Sequence, residues 1–433
     1  MNHKKQEAIY DVKQLGAGKT LVLGLQHMFA MFGATVLVPL LTGLDVSTTL
    51  LFAGVGTLLF HWITKRKVPA FLGSSFAFLG GYAAIAPLLE DGSSNVEMIP
   101  YACFGVACAG LLYLVMAALI KMFSAEKIMR YFPPIVTGPI IIAIGLTLSK
   151  SAIDSCSSNW IVALAAIIVV ILCNIYGKGM IKIIPILIGV IVSYVVGIGM
   201  GEVDFTPIRE ASWIGFPIHK EMTVLGLLDA DFDPALLITA IITIMPIALA
   251  TIVEHIGDIS AISSTTGINY IKDPGLHRTL LGDGLATMLA ALFGAPANTT
   301  YGENTGVLNL SKVYDPFVVR LAAVFAIFFS FCPKFAAVIQ AMPTATVGGI
   351  SLILYGMISA VGVRNIVENQ VDFTKSRNVI IAALILVLSI GVNYSAAGAI
   401  AFQVGGITIS LSGLAVGALT GIFLNAILPE KES

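Results

Sequence analysis

The sequence predicts an all-α, polytopic membrane protein of fourteen segments, arranged as two inverted seven-segment repeats. Three observations carry that prediction. Of 433 residues, 57% are apolar and only 11% are charged, whereas a soluble domain carries about 25% charged residues. The apolar residues fall in continuous runs, enough for about twelve or more spans of ~20 residues each. Landmarks of the first half also recur in the second at matched spacing. This composition excludes a soluble enzyme, a disordered chain and a coiled coil. The balance of 24 Lys+Arg against 25 Asp+Glu leaves no basic surface for nucleic acid. Continuous rather than alternating runs argue against an outer-membrane barrel.

Taken in order, the segments lie at 20–42, 47–64, 69–89, 99–120, 132–149, 159–175, 183–200, 235–262, 279–295, 297–311, 316–332, 336–361, 378–394 and 407–428. Segments three and ten are rich in Gly, Ser, Thr and Asn and open at Pro69 and Pro296. They read as broken, each a short extended stretch followed by a half-helix. The polar stretch 201–234, with WIGFP and LLDADFD, separates the two sets of seven and reads as a surface hairpin or an interfacial helix. With a cytoplasmic N-terminus and alternating spans, the positive charges left outside are Lys150, Arg209, Lys220 and Lys334. The other 20 of the 24 fall inside, as the positive-inside rule requires. Both termini are therefore expected in the cytoplasm, and the run Lys65, Arg66, Lys67 reads as a topology anchor. The N-terminal stretch lacks the pattern of a removable signal peptide. The five Cys form no CxxC and no metal-ligand spacing, so they read as packing residues, and neither metal nor cofactor is expected.

The repeat rests on paired landmarks. Gln26-His27 of the first segment matches Glu254-His255 of the eighth. Pro69 follows His27 by 42 positions and Pro296 follows His255 by 41. Each proline opens a Pro-Ala pair and a polar stretch, PAFLGSSF and PANTTYGE. PPIVTGPIIIAIGL resembles PTATVGGISLILYG. Seven is odd, so the second copy must enter the membrane inverted, which is the architecture of secondary transporters. There, paired interrupted segments point to the binding site.

Glu254, Asp258, Asp283 and Glu303 lie within apolar runs. A charge at the bilayer centre costs ~2.5–3.5 kcal/mol or more, which makes such residues functional candidates. Glu254 and Asp258 are one helical turn apart on a shared face. Asp283 fits either an orienting hydrogen bond to a neighbouring helix or a direct role. His255 is turned about 100° from Glu254 and reads as a packing residue. Irregular backbone cannot face lipid and must line an enclosed or wet cavity. Extended stretches at Gly73–Phe76 and Asn298–Gly302 would present N–H donors there, reinforced by the helix N-termini that follow. Backbone donors beside carboxylate acceptors suit neither an anion nor a bare metal ion. They suit a flat neutral molecule with alternating C=O and N–H groups, such as uracil or the 2,4-dioxo edge of another nucleobase. Phe76, Tyr301 and Tyr355 offer flat walls for such a ring.

The stretches QHMFAMFGATVLVP, PAFLGSSFAF, EHIGD, DPGLHR, NTTYGENTGV and GGISLILYG resemble the nucleobase–ascorbate transporter (nucleobase:cation symporter-2) family, and its uracil-carrying branch most. The resemblance runs from about residue 15 to 428. It implies a core domain of 19–121 and 235–333, a gate domain of 126–200 and 336–428, and an extracytoplasmic connection at 201–234. It implies proton-driven nucleobase uptake across the cytoplasmic membrane, with uracil and protons as the partners besides lipid, and often a homodimer. By the same resemblance, Glu254 and Glu303 accept hydrogen bonds from the ring. The backbone N–H groups of Phe76 and Gly302 donate to the ring carbonyls, and Ala34, Tyr301 and Tyr355 shape the pocket. Proton coupling falls to Asp258, with Glu303 and His27 as further candidates. His27 otherwise reads as a buried brace for the broken segments. Uracil carriers of the family often have His where this chain has Asp258, and purine carriers often have Asp. The purine branch typically lacks Tyr-Gly-Glu in segment ten, so uracil comes first and a purine or xanthine carrier second. An anion transporter of the same fold is the third reading. An intramembrane enzyme is not expected, because neither HExxH nor GxSxG is present.

Overall fold

A computed structural model describes residues 8–89, 92–228, 232–404 and 407–429. Lys4, Lys5 and Lys431, which entered the charge count, and residues 229–231 of LLDADFD lie outside the described residues. The chain begins with α1 (Ala17–Thr42) and α2 (Val46–Ile63), the latter capped by Asp45, whose side chain accepts from Thr48 N–H at 2.6 Å. Next come β1 (Leu72–Ser74), a 3-10 turn at Phe76–Phe78, and α3 (Leu79–Ile85). Then α4 (Ile99–Phe123), α5 (Pro134–Thr147), α6 (Trp160–Tyr176) and α7 (Pro185–Gly199) complete the first half.

The second half opens with α8 (Pro234–Ile244), a 3-10 turn around Pro246, and α9 (Ala248–Thr266). It continues through α10 (Leu276–Leu292), β2 (Asn298–Thr300) and α11 (Gly302–Ser311). The helices α12 (Pro316–Ser330) and α13 (Pro333–Gln340) meet at 89°. After them come α14 (Thr344–Glu368), α15 (Ser376–Asn393), the hairpin of β3 (Ala399–Val404) and β4 (Ile407–Ser412), and α16 (Gly413–Ile427).

Among the described residues, seven helices are long and apolar enough to cross a membrane, or eight if the bent α12–α13 pair is one span. Shorter apolar helices lie at Phe76–Ile85, Trp160–Tyr176, Pro185–Gly199 and Gly413–Ile427. The protein is a multi-pass helical membrane protein. Two sets of helices pack together. In one, α10 lies along α4 and α2, and α12 along α1 and α2. In the other, α14 lies along α5, α6 and α7, and α15 along α16 and α5. The helix α9 bridges them, touching α11 and α4 on one side and α5 and α16 on the other.

Two expectations need correction, and a third is narrowed. Segment 336–361 is not one helix. α13 ends at Gln340 with Ala341 as its cap, and Pro343 is the N-terminal cap of α14, which then runs on to Glu368. A proline favours a helix start and disfavours a helix interior. Segment 407–428 begins as a strand, not a helix. In ITISLS, apolar and hydroxyl residues alternate with period two, the strand period. The chain turns helical only at Gly413, where Ser412 caps α16 by accepting from Ala415 N–H at 3.3 Å. The connection 201–234 holds a short helix at Thr206–Glu210 and 3-10 turns at Lys220–Met222 and Val224–Leu228. The described residues there include no strand.

Candidate functional site

The site is built on two three-residue strands. β1 and β2 pair antiparallel, Leu72 with Thr300, Gly73 with Thr299 and Ser74 with Asn298. The pairing extends one residue at each end, through Ser75 N–H to the Ala297 carbonyl at 2.8 Å and Tyr301 N–H to the Phe71 carbonyl at 3.0 Å. Both strands are fully buried. Edge groups at this depth need protein partners, and hydroxyl and amide side chains supply them. Thr57 on α2 accepts from Leu72 N–H at 2.9 Å and donates to the Leu72 carbonyl at 3.1 Å. Thr287 on α10 donates to the Asn298 carbonyl at 2.9 Å. The Asn298 amide donates to the Phe52 carbonyl at 3.1 Å. Gly56 makes that reach possible, since a Cβ there would stand 2.3 Å from Asn298 Nδ2.

Antiparallel strands send the chain off in opposite directions. The turn-and-helix after β1 and the helix after β2 therefore diverge from a common centre, with their N-termini toward it. Gly302 is the first residue of α11 and Phe76 the first of the turn leading into α3. The first N–H groups of a helix have no intrahelical acceptor, and the helix end carries partial positive charge. A Cβ on Gly302 would meet nothing within 4 Å, and neither would one on Gly306, so this face of α11 borders open space.

The carboxylates gather beside that space. Glu254 and Asp258 on α9 and Glu303 in the first turn of α11 are half-buried. Glu254 lies within electrostatic reach of Asp258, Asp283 and Glu303. Asp258 Oδ2 accepts from Thr300 Oγ1 at 2.7 Å, which ties α9 to β2. Asp283 is fully buried on α10, and its Oδ2 sits 2.9 Å from Nδ1 of the equally buried His255. It orients a helix and does not line the open space.

The aromatic residues pack together next to the strands. Phe76 and Tyr355 meet edge to face, with centroids 5.6 Å apart at 78°. Tyr301 donates to the Ser74 carbonyl at 2.9 Å and accepts from Thr35 Oγ1 at 3.3 Å, while Ser74 Oγ donates to the Thr35 carbonyl at 3.0 Å. Ala34, Phe76, Tyr301 and Tyr355 share one apolar cluster that includes α14 residues. His27 stands apart from the carboxylates. Its partner is Asn304 on α11, whose amide donates to the His27 carbonyl at 3.0 Å and lies 3.1 Å from Nδ1. His27 thus braces α11 against α1.

Thr57 and Thr287 were not singled out in the sequence, and Asn298 and Thr300 were read only as part of an extended stretch, not for their side chains. Their signal was a hydroxyl or amide inside an apolar run next to an extended stretch, since a buried polar group there must have a partner.

A model described as the Permease family matches residues 18–398. The uracil permease of Bacillus caldolyticus is 40% identical over 428 residues, covering 96% of this chain and 93% of that protein. The uracil permease of Escherichia coli K12 is 37% identical over 423 residues, covering 94% and 91%. Among solved structures, the transmembrane domain of the cyanobacterial bicarbonate transporter BicA aligns with a TM-score of 0.62 at 14% identity, covering 97% of this chain and 99% of that one. SLC26A9 aligns at 0.64 and 13%, covering 96% and 66%. At such identities the likeness to solved structures shows the fold alone, a helical membrane-transporter fold. The chain belongs to the nucleobase–ascorbate transporter (nucleobase:cation symporter-2) family.

Proposed function

We propose that this protein takes up uracil with protons across the cytoplasmic membrane by alternating access. The observation that carries the reading is the β1–β2 pair, with two divergent N-termini beside Glu254 and Glu303. Donors and acceptors thereby face one open space. Uracil alternates N–H and C=O around one edge of a flat ring and uses both. Glu254 and Glu303 accept from the ring N–H groups, and the backbone N–H groups of Phe76 and Gly302 donate to its carbonyls. Tyr301, Tyr355 and Ala34 confine the ring. The names of relatives that align along nearly the whole chain agree with uracil as cargo.

The fourteen-segment reading joins the long helices to the shorter apolar ones, with β1–α3 and β2–α11 as the two broken segments. The set of α1, α2, β1–α3, α4, α8, α9, α10, β2–α11 and α12 then acts as the core domain, and the set of α5, α6, α7, α14, α15 and α16 as the gate domain. The site lies where they meet. The core slides against the gate and exposes the ring to one side at a time. Asp258 exchanges the coupled proton, held by Thr300 when ionised and one turn from Glu254. Protons distribute over the carboxylate cluster, so its titration belongs to the group. Both termini are cytoplasmic.

Uptake of radiolabelled uracil into proteoliposomes, with and without an imposed proton gradient, tests the reading. Accumulation that needs the gradient and is displaced by unlabelled uracil is the expected outcome. Displacement by xanthine but not by uracil overturns the cargo. Accumulation indifferent to the gradient overturns the coupling.

A further inference from the structure

The connection between the two halves carries a row of apolar side chains unsuited to water. Trp213, Ile214 and Phe216 are 73%, 85% and 70% exposed. Contiguous exposed apolar groups mark an interaction surface. The row is fixed in place. Lys334 N–H donates to the Ser212 carbonyl at 3.0 Å, and Gly215 N–H donates to the Phe331 carbonyl at 3.1 Å. A Cβ on Gly215 would stand 2.5 Å from Pro333 Cγ, so the chain lies hard against the elbow between α12 and α13. The two helices meet there at 89°. With α12 crossing the bilayer, α13 runs close to the plane of its surface.

Two further features say what covers this row. The apolar exposure continues through Phe331, which caps α12, to Phe328 on α12 itself, 73% exposed. Lys334 Nζ sits 5.2 Å from the centroid of the Trp213 ring. An indole beside an ammonium matches the headgroup level of a bilayer, where amphipathic rings collect and lysines reach for phosphate. A second copy of this chain would have to bring both an apolar face and an acidic group to the same spot, whereas a phospholipid leaflet supplies both.

We propose that residues 212–216 and α13 form an in-plane anchor seated in the headgroup layer of one leaflet. Trp213, Ile214 and Phe216 enter the upper acyl region, and Lys334 pairs with lipid phosphate. The anchor rests on the reading of α12 as a spanning helix.

The chain has three tryptophans. Trp62→Phe combined with Trp160→Phe leaves Trp213 as the sole emitter. The variant is reconstituted in phosphatidylcholine–phosphatidylglycerol vesicles carrying bromine at a shallow or a deep acyl position. Quenching about twofold stronger with the shallow label is expected for a ring at the interface. Absence of quenching at either depth overturns the proposal, whether iodide then shows Trp213 in water or shielded by a second copy. Stronger quenching by the deep label overturns it as well. Should the double variant fail to fold, the same quantity is read as the emission lost between the wild type and Trp213→Phe in each vesicle.

Discussion

Thr300 donates its hydroxyl to Asp258 across 2.7 Å, and this one contact joins the helix bearing two of the carboxylates to the strand that frames the site. Asp258→Asn keeps an oxygen acceptor for Thr300 but cannot release or take up a proton. Uracil affinity of the purified variant is expected to stay within about threefold of wild type, under 1 kcal/mol. Accumulation driven by a pH gradient is expected to vanish, while counterflow exchange persists. If Asp258→Asn still concentrates uracil in response to the gradient, the carrier is another group, Glu303 before His27.

Glu254→Ala and Glu303→Ala each leave a ring N–H without its acceptor. An unpaired buried donor costs ~1–3 kcal/mol, more when the lost acceptor is charged. Calorimetric titration should show at least about tenfold weaker uracil binding for each. Unchanged affinity in Glu254→Ala would remove α9 from the site.

Two glycines should respond in opposite ways. A Cβ on Gly302 has open space around it, whereas one on Gly73 would stand 2.6 Å from the Tyr301 ring and 2.7 Å from Thr35 Oγ1. Gly302→Val is expected to unfold at the wild-type temperature in detergent and to lose uptake, its side chain occupying the space meant for the ring. Gly73→Ala, by contrast, is expected to lower the unfolding temperature, because the added methyl group must displace Tyr301 or Thr35. Normal uptake by Gly302→Val would show that the ring does not occupy the open space beside Gly302.

The threonine clamps predict an order of stability. Thr57 serves both polar groups of Leu72, and Thr287 serves one of Asn298. Replacing either with Val leaves backbone groups unpaired at ~1–3 kcal/mol each. Thr57→Val should therefore lower the unfolding midpoint more than Thr287→Val. The reverse order would show that the strand edges find other partners.

The turn after α2 is tied to the turn before α10 by Lys67 and Asp273, 2.5 Å apart at the surface. Hydrogen bonding from Lys67 holds the Asp273 carboxyl below its ordinary value. A carboxyl lowered in the folded state contributes stability above its unfolded value, near ~3.9, and loses it as pH falls through the folded value. The difference in unfolding temperature between wild type and Asp273→Asn should be present at neutral pH and close in acid. A difference that persists unchanged below the carboxylate range would assign it to something other than the ion pair.

Charged residues are costly in a bilayer and prolines punctuate helices. Glu254, Asp258, Asp283, Glu303, Pro69 and Pro296 therefore stood out from the sequence; the structure brings Glu254, Asp258 and Glu303 beside the paired strands and buries Asp283 against His255. Other features stayed hidden because they depend on what lies far away in the chain. Nothing near Leu72 states that it pairs with Thr300. His255, turned away from Glu254, read as packing; the turn carries it onto α10 and against Asp283. The strand at 407–412 was masked by its own apolar content, which ran without a break into the GLAVGAL of α16. The in-plane helix α13 was merged with α14 because the hydrophobic run continues past Pro343.

The β1–β2 pair has a consequence for how the protein is made. Ser74 accepts from Tyr301, a residue 227 positions later. At 5–20 residues per second, the ribosome needs ~10–45 s to supply it. During that interval the first half sits in the membrane with the middle of its third segment unfinished, its strand lacking the partner with which it pairs in the structure. Assembly is decided late, when Asn298–Thr300 arrives and closes the centre of the molecule.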